Sequence, residues 1–199
     1  MFRDDIIFIV PTVLIAFFQI KIIWENLPLF YKNESQVQGG YSQTVIDLFN
    51  NAKYLIYAIL SLQLSFSILP ITNSQSIINV LRVFGYTLVL SGFFISLRAL
   101  HDLDKSWSSM VHYRIKKGQK LITSGVYKHI RHPIYLSVIL ELVGYELIVG
   151  SWIFIFFFLA SIIVFSLHIE REEKLLEDYY KGQYNNYRVK SNKLIPKIY

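Results

Sequence analysis

An all-α, polytopic membrane protein with about five transmembrane helices is what this sequence predicts, and three observations predict it. Of its 199 residues, 53% are hydrophobic and 16% aromatic, and mean hydropathy is +0.39, beyond an ordinary soluble domain. The apolar residues are gathered into long runs separated by polar segments. The basic residues, in turn, gather in alternate polar segments. The chain has no cysteine, which excludes disulfides, thiolate metal sites and a cysteine nucleophile. A net charge of +6 on so apolar a chain suits an anionic bilayer surface better than nucleic acid.

The first run, 6–24, is apolar except for Thr12, Gln19 and Lys21. Trp24-Glu25-Asn26 follows it rather than a small-residue cleavage site, so an uncleaved span is expected. Residues 25–53 form a polar connector with Gly39-Gly40 as a flexible point. The second run, 54–71, closes at Pro70 and is followed by a short polar turn, 72–76. The third, 77–100, is long enough to cross with tilt at about 1.5 Å per residue. Arg82 and Arg98 sit near its ends, where they can snorkel, and Gly85 and Gly92 permit close helix contact. After the polar segment 101–133, the runs 134–149 and 151–167 are parted only by Gly150 and its neighbours, which demands an antiparallel hairpin. The charged and aromatic remainder, 168–199, keeps helical spacing at least through Tyr180.

Charge placement orients the chain. With the N-terminus outside, five spans put 25–53, 101–133 and 168–199 in the cytosol, and these hold 2, 7 and 7 of the 20 Lys and Arg residues. The positive-inside rule is satisfied, and the C-terminus is expected in the cytosol.

Two polar clusters then face the same compartment. One is the stretch 119–135, which crowds Gly125, Tyr127, Arg131, His132, Pro133 and Tyr135 around the mouth of an apolar helix. Gly125 permits a tight turn, and Pro133 can open the helix, because its missing N–H is not needed there. The other is Glu170-Arg-Glu-Glu-Lys-Leu-Leu176. In a helix His168, Glu172, Leu175, Leu176 and Tyr179 share one face, with Glu173 beside it. A basic stop signal and an interfacial amphipathic helix, its acids paired with Arg131 or Lys128, would explain these residues structurally. The functional reading is a ligand with hydroxyls, a carboxylate and a cationic centre held between the clusters.

Several strings carry a family resemblance: Trp107-Ser108, Leu121-Ile-Thr-Ser-Gly-Val-Tyr127, Arg131-His-Pro-Ile-Tyr135, Glu172-Glu173 with Leu176, Tyr184 and Tyr187, and Leu194-Ile-Pro196. Over roughly 80–199 the chain resembles the isoprenylcysteine carboxyl methyltransferases, and more loosely the membrane phospholipid methyltransferases. The resemblance implies 1–76 as two N-terminal spans and 77–199 as the methyltransferase core. It implies S-adenosylmethionine as cofactor, bound in a cytosolic site formed by the 101–133 loop and the tail, with a membrane lipid or lipophilic substrate entering from the bilayer. Carried over by position, the cofactor contacts are His112, Gln119, Lys120, Leu121, Ile122, Tyr127, His132, Pro133, Ile134, Tyr135 and Glu172. Arg131 and Glu173 are positioning residues. The position of His168 is an arginine in the family, linked there to substrate, so His168 and the mid-helix Glu141 are the candidate substrate contacts.

Methyl transfer is an in-line displacement whose hard chemistry the cofactor carries. A carboxylate acceptor needs no general base and an amine does, so positioning residues are expected rather than a triad or a metal. Carboxyl O-methylation of an isoprenylcysteine-like acid ranks first. The alternatives are N-methylation of a phospholipid amine and, in another class, a sterol-type membrane reductase using NADPH, whose C-terminal region carries a similar Arg-His-Pro-x-Tyr string.

Overall fold

The structure is a computed structural model, and it describes residues 36–38, 70–103, 114–116 and 118–195. The expected spans 6–24 and 54–71 (but for its last two residues), most of the 25–53 connector, and His112, Trp107, Ser108 and Pro196 lie outside the described residues. Within them the chain runs β1 (Gln36–Gln38), α1 (Gln75–Leu103), β2 (Arg114–Lys116), a short 3-10 helix (Gly125–Lys128), α2 (Pro133–Val149), α3 (Ile153–Tyr180) and α4 (Gly182–Lys190).

The helices α1 and α2 pack antiparallel along a seam of small residues. Gly85 and Gly92 lie seven residues, two helical turns, apart on one face. A Cβ added to Gly85 would come within 2.5 Å of the Gly144 carbonyl oxygen, and one on Gly144 within 2.6 Å of the Gly85 carbonyl. One turn pair along, a Cβ on Gly92 would sit 2.8 Å from the Ser137 carbonyl. The backbones touch because nothing stands between them, as membrane helices do when small residues line their contact.

Pro133 opens α2 at its first turn, and Gly150, at φ 76°, ends it with its N–H on the Glu146 carbonyl. That left-handed stop favours glycine. It turns the chain within three residues into α3, giving the expected hairpin. Ile71 N–H donates to the Gly150 carbonyl at 2.8 Å, and Pro70 bridges Ser151, so the start of α1 and this turn share one end of the molecule. At the opposite end β1 and β2 pair antiparallel, Val37 opposite Ile115. This ribbon, three residues to a strand, accompanies an otherwise helical arrangement, in keeping with the all-α fold class. It brings residues 36–38 and 114–116 together.

Two helices, α1 and α3, are long and apolar enough to cross a membrane; in their most apolar stretches only 17% and 28% of residues are buried. Core helices of a soluble domain would be mostly covered. Here Val80, Val83, Phe84 and Phe94 of α1 and Phe156, Leu159, Ile163 and Leu167 of α3 are exposed, a surface that lipid, not water, accommodates. Helix α2, with 17 residues, is apolar between them. The 28 residues of α3 extend about 42 Å, past a hydrocarbon core of about 30 Å. Its charged half, from His168, therefore stands clear of the apolar layer without a break in the helix. A small core forms where tail and hairpin meet, with Leu194 against Ile139, Phe165 and Ile169.

Candidate active site

The site is assembled where the start of α2, the polar half of α3 and the tail converge. The local sequence explains each placement. Gly125 has φ 61°, and any Cβ there would also overlap the Asp102 carboxylate. Asp102, at the end of α1, accepts the Val126 N–H at 2.8 Å and pairs with Arg98 at 3.2 Å. The Val126 N–H holds the Asp102 carboxyl below its usual range, against a smaller effect of burial. This clasp ties the turn bearing Tyr127 to α1. Tyr127 is buried, its carbonyl accepts the Tyr187 hydroxyl at 2.6 Å, and burial, helped by Glu172, pushes its phenol up.

The tail forms the other wall. Arg131 N–H donates to the Asn192 carbonyl at 2.8 Å, His132 N–H to the Lys193 carbonyl at 3.1 Å, and Asn192 N–H to the His129 carbonyl at 3.1 Å. The Arg131 guanidinium donates to Glu173 at 2.7 Å through Nε, and to the carbonyls of Arg188, at 3.1 Å, and Ser191.

Between these walls His132 is buried, its Nε2 3.3 Å from Glu173 and its Nδ1 3.5 Å from Glu172. Burial pulls its pKa down, but the two carboxylates outweigh that and raise it. Glu173 shows the converse: burial pushes it up, while the hydrogen bonds from His132 and Arg131 hold it down at about 2. Tyr135 donates its hydroxyl to Glu172 at 2.7 Å and stacks between His132, at 5.6 Å, and Phe165, at 5.2 Å. The ladder runs from the carboxylates down to the apolar layer. Of the pair, Glu172 keeps the more accessible side chain, 19% against 8%.

Tyr127, Arg131, His132, Tyr135, Glu172 and Glu173, all expected from sequence, are thus brought together. Pro133 and Ile134 are the first residues of α2 beneath them. Gln119 is held at the far end of α3, where its carbonyl accepts the Tyr180 hydroxyl at 2.9 Å and Gly118 N–H donates to Tyr179 at 3.0 Å. Lys120 is exposed, with Leu121 and Ile122 half-buried. His168 is buried one turn before Glu172. Glu141 lies apart, two turns into α2 against Gly92, about 9 Å along the axis from Tyr135. The Arg131 guanidinium is engaged by Glu173 and by the carbonyls of Arg188 and Ser191. Sequence reasoning missed Asp102, although an Arg98–Asp102 spacing of four at a span's polar end was a usable signal.

The fold and site define a helical membrane protein with an acid, histidine and tyrosine cluster at one end of its apolar helices. Comparison with known proteins finds similarity to one family. Residues 83–178 match the sequence model of the isoprenylcysteine carboxyl methyltransferase family. It is 27% identical over 199 residues to protein-S-isoprenylcysteine O-methyltransferase of Saccharomyces cerevisiae, covering 99% of this chain and 81% of the relative. The enzyme of that name from Schizosaccharomyces pombe is 29% identical over 110 residues, 54% of this chain and 46% of the relative. The B form from Arabidopsis thaliana is 28% identical over 107 residues, 52% and 53% respectively. The chain also shares its fold with the eukaryotic intramembrane Ras methyltransferase, isoprenylcysteine carboxyl methyltransferase, at TM-score 0.55 and 20% identity, over 78% of this chain and 52% of the other. It thus spans about half the length of the last three proteins.

Proposed function

We propose that the chain is an integral-membrane methyltransferase that moves the methyl of S-adenosylmethionine to the carboxylate of an isoprenylcysteine-like lipid. The observation that carries this reading is the convergence of Tyr135, His132 and Glu172 at the polar end of apolar helices, within a stretch that matches the family. The relatives are named for this O-methylation.

The chemistry of the donor set fits the cofactor. Glu172 can accept from ribose hydroxyls or an amino group, and the start of α2 offers a helix N-terminus to a carboxylate. The faces of Tyr127 and Tyr135 suit an adenine or a cationic sulfonium. Gln119 to Ile122 would close the cofactor from the α3 side. When bound, the cofactor supplies an activated methyl for in-line displacement. The residues here then have the tasks of orientation and water exclusion. Orientation alone can supply roughly 7–11 kcal/mol. Tyr135 holds Glu172 in one rotamer, while His132 and Arg131 hold Glu173, so the acidic wall is fixed before a ligand arrives. The acceptor carboxylate is ionised at neutral pH and attacks without a base. His168, on the bilayer side of Glu172, is placed to meet the acceptor.

The orientation follows from charge: the site faces the cytosol, where the cofactor is available, and the exposed apolar faces of α1 and α3 give a lipid entry from the bilayer. Titration of the detergent-solubilised protein with S-adenosylmethionine and with NADPH tests the assignment. Saturable binding of the first alone is expected, weakened by Glu172→Gln and by Tyr127→Ala. Wild-type affinity in both variants would overturn the site, and binding of NADPH instead would favour the reductase class.

A further inference from the structure

Tyr184 on α4 has none of its surface exposed, and its ring meets Tyr187 edge-on at 6.1 Å. Tyr187 holds the Tyr127 carbonyl, and the carbonyl of Arg188, one turn along α4 from Tyr184, accepts from Arg131, so α4 carries Tyr184 against the site. The Tyr184 hydroxyl is buried and makes no hydrogen bond among the described residues. Buried hydroxyls are ordinarily paired, because desolvation without a partner is costly.

Its neighbours are engaged elsewhere. Arg131 is committed to Glu173, Arg188 and Ser191. Both ring nitrogens of His132 face carboxylates, and the Tyr135 hydroxyl is on Glu172. Tyr187 offers the contrast, since its hydroxyl serves the fold by holding the Tyr127 carbonyl. Phenylalanine at 184 would supply the same packing, so the packing among the described residues makes no use of this oxygen.

We propose that the Tyr184 hydroxyl is a ligand contact, forming its hydrogen bond to a ribose hydroxyl of the bound cofactor. The choice within the ligand follows from charge. Arg131 is paired with Glu173, and both ring nitrogens of His132 face the two carboxylates, so among the described residues neither cation of the cluster is left over for a ligand carboxylate. A neutral hydroxyl-bearing group is the complement: Glu172 accepts from it and Tyr184 donates to it. This contact rests on the cofactor reading above.

The test combines calorimetric titration with thermal unfolding of the ligand-free protein in detergent. S-adenosylhomocysteine and 5′-methylthioadenosine serve as probes; the second keeps the ribose and lacks the amino-acid carboxylate. Tyr184→Phe is expected to leave the ligand-free midpoint at or above wild type and to weaken both probes by the same factor, roughly 5–30-fold. Tyr187→Phe is expected to lower the ligand-free midpoint. Undiminished affinity in Tyr184→Phe would overturn the contact, as would a lowered midpoint or failure to fold, because the hydroxyl would then be bonded within the fold or to an internal water. Loss confined to S-adenosylhomocysteine would move the contact off the ribose and overturn it as stated. No binding of either probe by the wild type would overturn the cofactor reading itself, a different failure from a variant that binds as well as its parent.

Discussion

Replacing Arg131 separates a structural arginine from a substrate-binding one. Its Nε lies 2.7 Å from Glu173, and both side chains are nearly buried, at 7% and 8% exposure. Arg131→Met removes the pair's cation and also strands the Ser191 and Arg188 carbonyls. Breaking a buried pair from one side costs about 3–5 kcal/mol, because the other charge remains buried. His132 still reaches Glu173 at 3.3 Å, which places the loss toward the lower end, near 3 kcal/mol. For a chain of this size that is a fall of roughly 6–12 °C in unfolding midpoint, readable by intrinsic fluorescence in detergent. Adding Glu173→Gln is expected to restore part of it, since the stranded charge is removed. Arg131→Lys should restore little, because a point charge cannot fork between a carboxylate and two carbonyls. An unchanged midpoint in Arg131→Met, together with a selective rise in KM for the acceptor, would refute this reasoning and assign Arg131 to the substrate.

The cluster's ionisation gives a second prediction. The pKa of His132 is raised from 6.5, so the stability it contributes is complete below about 6.5 and is lost as pH climbs through its higher folded value. The unfolding midpoint should therefore fall as pH rises from 6.5, with a flatter profile in His132→Asn. Glu173, held down at about 2 from 4.5, contributes above 4.5 and loses its share as pH falls toward 2. At Asp102, alanine is expected to release the Val126 N–H and cost about 1.5–3 kcal/mol, whereas asparagine, which keeps an acceptor, should cost less than half of that; equal losses would show that the charge rather than the hydrogen bond matters. Finally, tags at residue 40 and at the C-terminus should report the cytosol and a tag at residue 74 the outside, by protease protection.

The site was more legible in the sequence than the fold around it. Gly125, Pro133 and the string between them announce a turn and a helix start with local chemistry that tertiary context cannot override: a left-handed backbone needs glycine, and proline opens helices. The i, i+4 spacing from His168 to Glu172 likewise placed the second cluster correctly. What could not be read was the exchange of partners across chain distance. Nothing local tells that Arg131 is consumed by residues 188–191, or that Glu173 rather than Glu172 is the more buried acid. The β1–β2 ribbon was missed because three-residue strands carry no usable periodicity. Gly85 and Gly92 pointed to close packing, but their partners, Gly144 and Ser137, emerge only from the antiparallel register of α1 and α2.

The acceptor's charge is where sequence and structure together make the sharpest demand. With Arg131 engaged by Glu173 and the tail, the position that the resemblance links to substrate is 168, and here it holds a histidine that is 4% exposed. A neutral imidazole can donate one hydrogen bond to an acceptor carboxylate, but it lacks the two-pronged grip of a guanidinium. His168→Arg therefore separates two acceptors of opposite charge. For a prenylcysteine carboxylate, arginine should lower KM and leave kcat within a few-fold, because the buried cation gains its partner only when the acceptor binds. For a phosphatidylethanolamine amine, arginine would repel the acceptor and remove the one base beside it, and turnover should be lost. Glu141 belongs to the same question. Its Oε1 is buried and its Cγ fills the space that a Cβ on Gly92 would need, at 2.8 Å, so it sits in the α1–α2 seam rather than on a lipid-facing wall. Glu141→Gln should accordingly leave methylation of a prenylcysteine analogue at the wild-type rate. Labelled S-adenosylmethionine offered with each acceptor in turn decides the matter. Methylation of the amine alone, abolished by Glu141→Gln and by His168→Arg, would make this an N-methyltransferase and place Glu141 at the acceptor.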